Sequence, residues 1–130
     1  MYDIIGDIHG HAQPLNALLQ TLGYTTHDGV YSHPEDRQVI FLGDFIDRGP
    51  HILETLIIAK SMVDAGTALV VMGNHEFNAL AYHTKHPNTD RYLRVHSEKN
   101  QKQHQATLDA LSDSQLADYL TWFATLPTHL

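Results

Sequence analysis

Three short apolar runs each stop at a glycine followed by an oxygen-bearing side chain: Ile5-Gly6-Asp7, Leu42-Gly43-Asp44 and Met72-Gly73-Asn74. No other feature constrains the chain as much. Runs of this length read as buried strands, and the segments between them carry helical periodicity. Tyr2 to Ile5 is the first strand. A helix follows from about Ala12 to Leu22, with Leu15, Leu18, Leu19 and Leu22 on one face, Pro14 in its first turn and Gly23 as its stop. Asp28-Gly29, between Tyr24 and Tyr31, is a hairpin turn signal. Val39 to Leu42 is the second strand, His51 to Ala65 the second helix, Ala68 to Met72 the third strand and His75 to Tyr82 the third helix. This β-α-β-α-β-α order specifies an α/β fold with a parallel sheet. Two more helical patterns, about Asn100 to Leu111 and Asp113 to Leu126, complete the chain, the second opened by a Ser112/Gln115 capping pair. In it Trp122 and Phe123 share helical spacing with Leu116, Tyr119, Leu120 and Leu126, which reads as a packing face.

Groups just past the carboxyl ends of parallel strands line the ligand crevice of an open α/β sheet. Adjacent strands lie ~4.8 Å apart, so Asp7, Asp44 and Asn74 meet if their strands adjoin. Further donors follow at once: His9, Asp47 and His75. The glycine before each of Asp7, Asp44 and Asn74 lets the backbone turn sharply without a Cβ clash. Three carboxylates, Asp7, Asp44 and Asp47, converging with only Arg48 nearby repel one another, and a bound cation resolves the repulsion. The 130 residues contain no cysteine, so any metal is held by nitrogen and oxygen. Carboxylate, amide and imidazole together suit Mn²⁺, Fe or Zn²⁺, and Asp44 at the centre is placed to bridge two ions. Arg48 can grip a phosphate as a bidentate fork.

Composition excludes several alternatives. The net charge is −7, and 42% of residues are apolar against 18% charged, which fits one folded domain. No apolar run approaches the ~20 residues of a membrane span. The start of the chain has no basic segment and apolar region of the secretory kind, so a cytoplasmic location is expected. Residues 1–84 carry 3 basic and 10 acidic side chains, whereas 85–104 carry 5 and 2. That basic stretch (Lys85, Arg91, Arg94, Lys99, Lys102) can steer an anionic substrate. It is too short for a nucleic-acid-binding face, leaving nucleic acid as a substrate at most.

Gly6-Asp7-Ile8-His9-Gly10, Gly43-Asp44-Phe45-Ile46-Asp47-Arg48-Gly49 and Gly73-Asn74-His75-Glu76 resemble the three opening motifs of the calcineurin-like metallophosphoesterases. The middle motif with Arg48 is similar to the branch holding phosphoprotein phosphatases and symmetrical diadenosine tetraphosphatases. The resemblance covers residues 1 to about 80. It implies that Asp7 and His9 hold a first metal, Asp44 bridges, and Asn74 holds a second, the two most readily Mn²⁺. It further implies that a metal-bridging water is the nucleophile and that His75 is the general acid, held by Asp47. Arg48 then binds the phosphate of a phosphoprotein or nucleotide substrate, with Asn74 and His75 beside it. Glu76 reads as structural.

That family supplies further histidine ligands from later strands, and no equivalent is found here. His96 has no apolar strand before it, His104 lies in a polar helical pattern and His129 is next to the last residue. The expectation is the parallel-sheet half of a metallophosphoesterase sandwich followed by a helical segment. Residues 1–83 would be the motif-bearing part and 84–130 a helical insertion of a partial, C-terminally truncated domain. The alternatives are a non-catalytic metal- or phosphate-binding module and a fragment completed by a partner.

Overall fold

The computed structural model describes all 130 residues, Met1 to Leu130. In chain order the elements are β1 (Tyr2–Ile5), α1 (Ala12–Thr21), β2 (Thr25–His27), β3 (Val30–Ser32), β4 (Gln38–Phe41), α2 (Ile52–Asp64), β5 (Ala68–Val70), α3 (Asn74–His83), α4 (Glu98–Ala110) and α5 (Asp113–Phe123). Strands β1, β4 and β5 form a parallel sheet in that order. The β2–β3 hairpin turns at Asp28 and Gly29, both with positive φ, as the Asp-Gly pair demands.

The register aligns Ile5 with Phe41 and Phe41 with Val70. All three strands therefore end level, and Asp7, Asp44 and Asn74 leave the sheet at one edge. The inner face carries Ile5, Val39, Phe41, Ala68 and Val70. They are buried with Leu15 and Leu19 of α1, Leu56, Ala59 and Met62 of α2, and Trp122 and Phe123 of α5. Each fully buried side chain of this size contributes roughly 1.5–3 kcal/mol. Trp122, expected on a packing face, stacks on Phe45 with ring centroids 5.9 Å apart.

The opposite face of the sheet is bare. Tyr2, Ile4 and Leu42 are 56%, 67% and 45% exposed, and Ile40, Leu69 and Val71 are absent from the buried core. Parallel sheets are ordinarily covered on both faces; here the helices cover one. No helix is long and apolar enough to cross a membrane.

Most boundaries fall within two residues of those the sequence suggests. The third strand is shorter than Ala68 to Met72. Its pairing with β4 runs only to Val70, and Met72 N–H donates to Pro127 O at 2.7 Å instead. The chain then swings Gly73 against Asp44. Helix α4 starts two residues early because Ser97 caps it, its Oγ accepting from Asn100 N–H. The Ser112/Gln115 capping box is present at α5.

Candidate active site

The loops after β1 and β4 are laced together by backbone hydrogen bonds. His9 N–H donates to Asp44 O, Gly10 N–H to Phe45 O and Gly49 N–H to His9 O, each at 2.8 Å. Five non-glycine residues in these loops adopt positive φ: Asp7, His9, Asp44, Asp47 and Arg48. Such conformations cost of order 1 kcal/mol or more each and persist where surrounding contacts over-determine them. The glycines act in two ways. Gly43 has φ +74°, and a Cβ there would sit 2.1 Å from Gly73 N. Gly73 has an ordinary φ of −84°, yet a Cβ would meet Asp44 Oδ1 at 2.4 Å. At Gly73 the requirement is close approach rather than a sharp turn.

Glu76 locks this approach. It is fully buried, and its carboxylate accepts from the backbone N–H groups of Asp44 (2.6 Å), Phe45 (3.1 Å) and Gly73 (3.1 Å). Burial pushes its carboxyl up, against the pull of these N–H donors. One side chain at the start of α3 thus ties the end of β4 to the end of β5, in keeping with its structural reading.

Asp7, His9 and Asp44 come together, with one donor atom from each lying within 4.8 Å of the others. His9 Nδ1 lies 2.9 Å from Ile46 O and donates to it, which leaves Nε2 as a lone pair 3.6 Å from Asp7 Oδ1. A ring nitrogen fixed by a carbonyl on the far side is the arrangement that orients a metal-ligating histidine. The Asn74 carboxamide lies 3.2 Å from both Asp44 oxygens, where its NH₂ donates to them. Turned over, the same amide would offer its oxygen beside Asp44, and together with the Asp7 and Asp44 carboxylates and the His9 imidazole that donor set fits a divalent metal.

Asp47 does not join this convergence. The positive φ at Asp47 and Arg48 turns its side chain inward, where it is 4% exposed. Its Oδ2 accepts from His75 Nδ1 at 2.7 Å, and its Oδ1 from His104 Nδ1 at 2.9 Å and Thr107 Oγ at 2.7 Å. Burial alone would raise the Asp47 carboxyl, but the hydrogen bonds from His104, His75 and Thr107 outweigh it and hold it below the ordinary carboxylate range. His75 packs edge-on against His9, with ring centroids 4.5 Å apart, so the Asp47 pair and the acidic cluster share one wall.

His104, set aside as a metal ligand on its sequence context, and Thr107, which no motif singles out, make contacts with Asp47 that the sequence did not foretell. They are the two buried residues of α4, three apart and so on one face of the helix. A polar helix whose buried stripe is itself polar was the available signal. His96 lies outside the cluster, stacked on Tyr82 and Tyr92 at 3.8 and 4.1 Å. Beyond His75 opens a cavity of about 480 Å³, walled among others by Arg48, Asn74, Asn78, Arg94, Lys99 and Gln103. Of the basic stretch, Arg94 and Lys99 reach it. Arg94 is held by the neutral oxygens of Asn100 and Gln103, at 3.1 and 3.3 Å, so its charge is left for a ligand.

The model of the calcineurin-like phosphoesterase family matches residues 2–127. The chain is 47% identical to bis(5'-nucleosyl)-tetraphosphatase PrpE [asymmetrical] of Halalkalibacterium halodurans over 74 residues, 57% of this chain and 30% of that relative. It is 45% identical to the protein of the same description from Bacillus subtilis, with the same coverage. The matched stretch therefore spans less than a third of those relatives' length. Among solved structures, one assigned as a diadenosine tetraphosphatase matches 97% of this chain and 42% of its own, with a TM-score of 0.54 and 21% identity. A cold-active protein tyrosine phosphatase matches 94% and 36%, with a TM-score of 0.56 and 22% identity. These two likenesses establish the α/β fold.

Proposed function

Because the chain belongs to the calcineurin-like phosphoesterase family, we propose that its strand-end cluster serves a metal-dependent hydrolase that cleaves a dinucleoside polyphosphate. The observation that carries this reading is the meeting of Asp7, His9 and Asp44 at the ends of adjacent parallel strands, beside the His75–Asp47 pair. Asp7, His9, Asp44 and Asn74 would hold two divalent ions, Mn²⁺ foremost with Fe or Zn²⁺ as alternatives, Asp44 bridging. When bound, such ions lower the pKa of water to generate a hydroxide nucleophile and neutralise the phosphoryl oxygens.

The protein's own groups divide the remaining work. With Nδ1–H committed to Asp47, His75 presents Nε2 towards the cavity; in the imidazolium form Nε2–H can pass its proton to the leaving oxygen, and the neutral Nδ1–H form is left behind. Arg48 sits at the exposed rim, where its guanidinium can grip the phosphate under attack. A nucleotide is favoured over a phosphoprotein by Arg94 and Lys99 in the same cavity, since a polyphosphate leaving group carries charge beyond the scissile bond. The relatives' names add support to that choice, and a cytoplasmic location goes with a nucleotide substrate. The bare sheet face supports reading residues 1–83 as the motif-bearing part, and 84–130 as the helical segment, of a partial domain.

The test is to incubate the chain with diadenosine tetraphosphate and Mn²⁺, with and without chelator, and separate the products. Asymmetrical cleavage gives a nucleoside triphosphate and a monophosphate, symmetrical cleavage two diphosphates. We expect the asymmetrical pair, formed slowly and lost with chelator. His75→Ala should lower turnover by ~10²–10⁴-fold. Chelator-insensitive turnover, or no turnover and no Mn²⁺ binding, would sink the assignment.

A further inference from the structure

We propose that His104 is a positioning residue: with Thr107 it clamps the Asp47 carboxylate so that His75 is fixed in its Nδ1–H tautomer, making helix α4 part of the catalytic apparatus. This rests on the reading of His75 as the proton donor. The clamp is visible on both sides of one carboxylate. Oδ2 meets His75, while Oδ1 takes His104 Nδ1–H and Thr107 Oγ–H, and Thr107 Oγ in turn accepts from Asp47 N–H at 2.9 Å. Asp47, His104 and Thr107 are 4%, 5% and 1% exposed, so water has little access to replace any of these donors. The carboxylate torsion of an aspartate is intrinsically broad. Without the two Oδ1 contacts, nothing holds Oδ2 on His75.

The protons can be followed through the network. A carboxylate only accepts, so His75 Nδ1, His104 Nδ1 and Thr107 Oγ must all donate. In a neutral His104 the remaining nitrogen, Nε2, is then an acceptor. It faces His83 Nε2 at 3.0 Å, so His83 must donate from Nε2. Desolvation first, then the nearby His104 and His96 rings, push His83 down to about 4, which keeps it neutral. Three imidazoles on α3 and α4 are thereby set in series: His83 by its surroundings, His104 by His83 and Asp47, His75 by Asp47. The end of the series is the Nε2 that faces the cavity. A purely structural role for His104 would need burial and packing but no particular tautomer at His75, and that difference can be measured.

The experiment is long-range ¹H–¹⁵N correlation of the histidine side chains in the metal-free chain. It reads each tautomer directly and does not depend on turnover. Wild type should show His75 as the Nδ1–H form. In His104→Leu the clamp loses its donor, and His75 should move to a mixture or to the Nε2–H form. His104→Asn places an amide N–H where Nδ1–H was, and should restore the Nδ1–H signal. Thr107→Val is nearly isosteric, keeps the helix and removes only the hydroxyl; it should shift the same signal less, and it serves if His104→Leu does not fold. An unchanged His75 tautomer in folded His104→Leu or Thr107→Val overturns the proposal. Parallel kinetics with Mn²⁺ should show kcat lowered ~10–100-fold in His104→Leu with KM held, and recovered in His104→Asn. A moved tautomer with an unchanged kcat would leave the positioning intact and refute His75 as the acid.

Discussion

Asp44 and Asp47 lie three residues apart on one loop, both in left-handed backbone, yet they satisfy a negative charge in opposite ways. Asp47 is buried and surrounded by donors: two imidazoles and a hydroxyl supply its counter-dipoles from within the protein. Asp44 is half-buried and takes one backbone N–H, from His75 at 3.0 Å. Around it stand the Asp7 carboxylate, the His9 ring and the Asn74 carboxamide. The first centre is closed by donors within the folded chain; the second gathers two carboxylates and an imidazole at the exposed ends of the strands. A loop of strained residues thus places side by side the two groups to which the proposed function gives proton transfer and metal binding, and the direction of each side chain separates them.

The sharpest way to break this division is through metal affinity. Titration calorimetry with Mn²⁺ should show Asp44→Asn weakened at least ~100-fold and Asp47→Asn changed by no more than a few-fold, since losing a ligand costs more than losing an outer contact. Comparable losses would mean that the two carboxylates form one centre. Stability should show the reverse. Urea denaturation without metal should find Asp47→Ala less stable by about 3 kcal/mol, because buried donors lose a charged acceptor. Asp44→Asn should cost under about 1 kcal/mol, since it also relieves repulsion from Asp7.

The smallest effect concerns acid. His83 is packed against Tyr82 and His104, and burial, with the nearby His104 and His96 rings, lowers its pKa from 6.5 to about 4 on folding. Between those values the unfolded chain binds a proton that the folded chain refuses, so stability declines as pH drops from 6.5 towards 4 and levels off below. Substituting His83 by Asn should flatten that part of the melting-temperature profile by a few degrees. An unaltered slope would place the acid sensitivity elsewhere.

The strand-end cluster was legible in the sequence because its signal is periodic. Strand, glycine and donor recur three times, and the parallel crossover rule places the three endings at one edge. The three-carboxylate convergence inferred from the motif positions needed correction at Asp47, whose inward turn depends on two consecutive left-handed residues that carry no glycine to announce them. The Asp47 network was half legible: His75 and Asp47 stood out among the motif residues, whereas His104 was set aside as lying in a polar helical pattern and Thr107 gave no signal. Buried polar residues on a polar helix leave no mark in a hydrophobic pattern, and their partner lies 57 and 60 positions away.

The level ending of β1, β4 and β5 also sets the order of events as the chain folds. His9 meets Ile46 across 37 positions, and His75 meets Asp44 across 31. Local helices and the Asp28-Gly29 hairpin form in microseconds, whereas parallel pairing must first close these long loops. Asp7, Asp44 and Asn74 stay apart until both closures are made, so the strand-end cluster can assemble only after the slow, long-range pairing and not with the local helices.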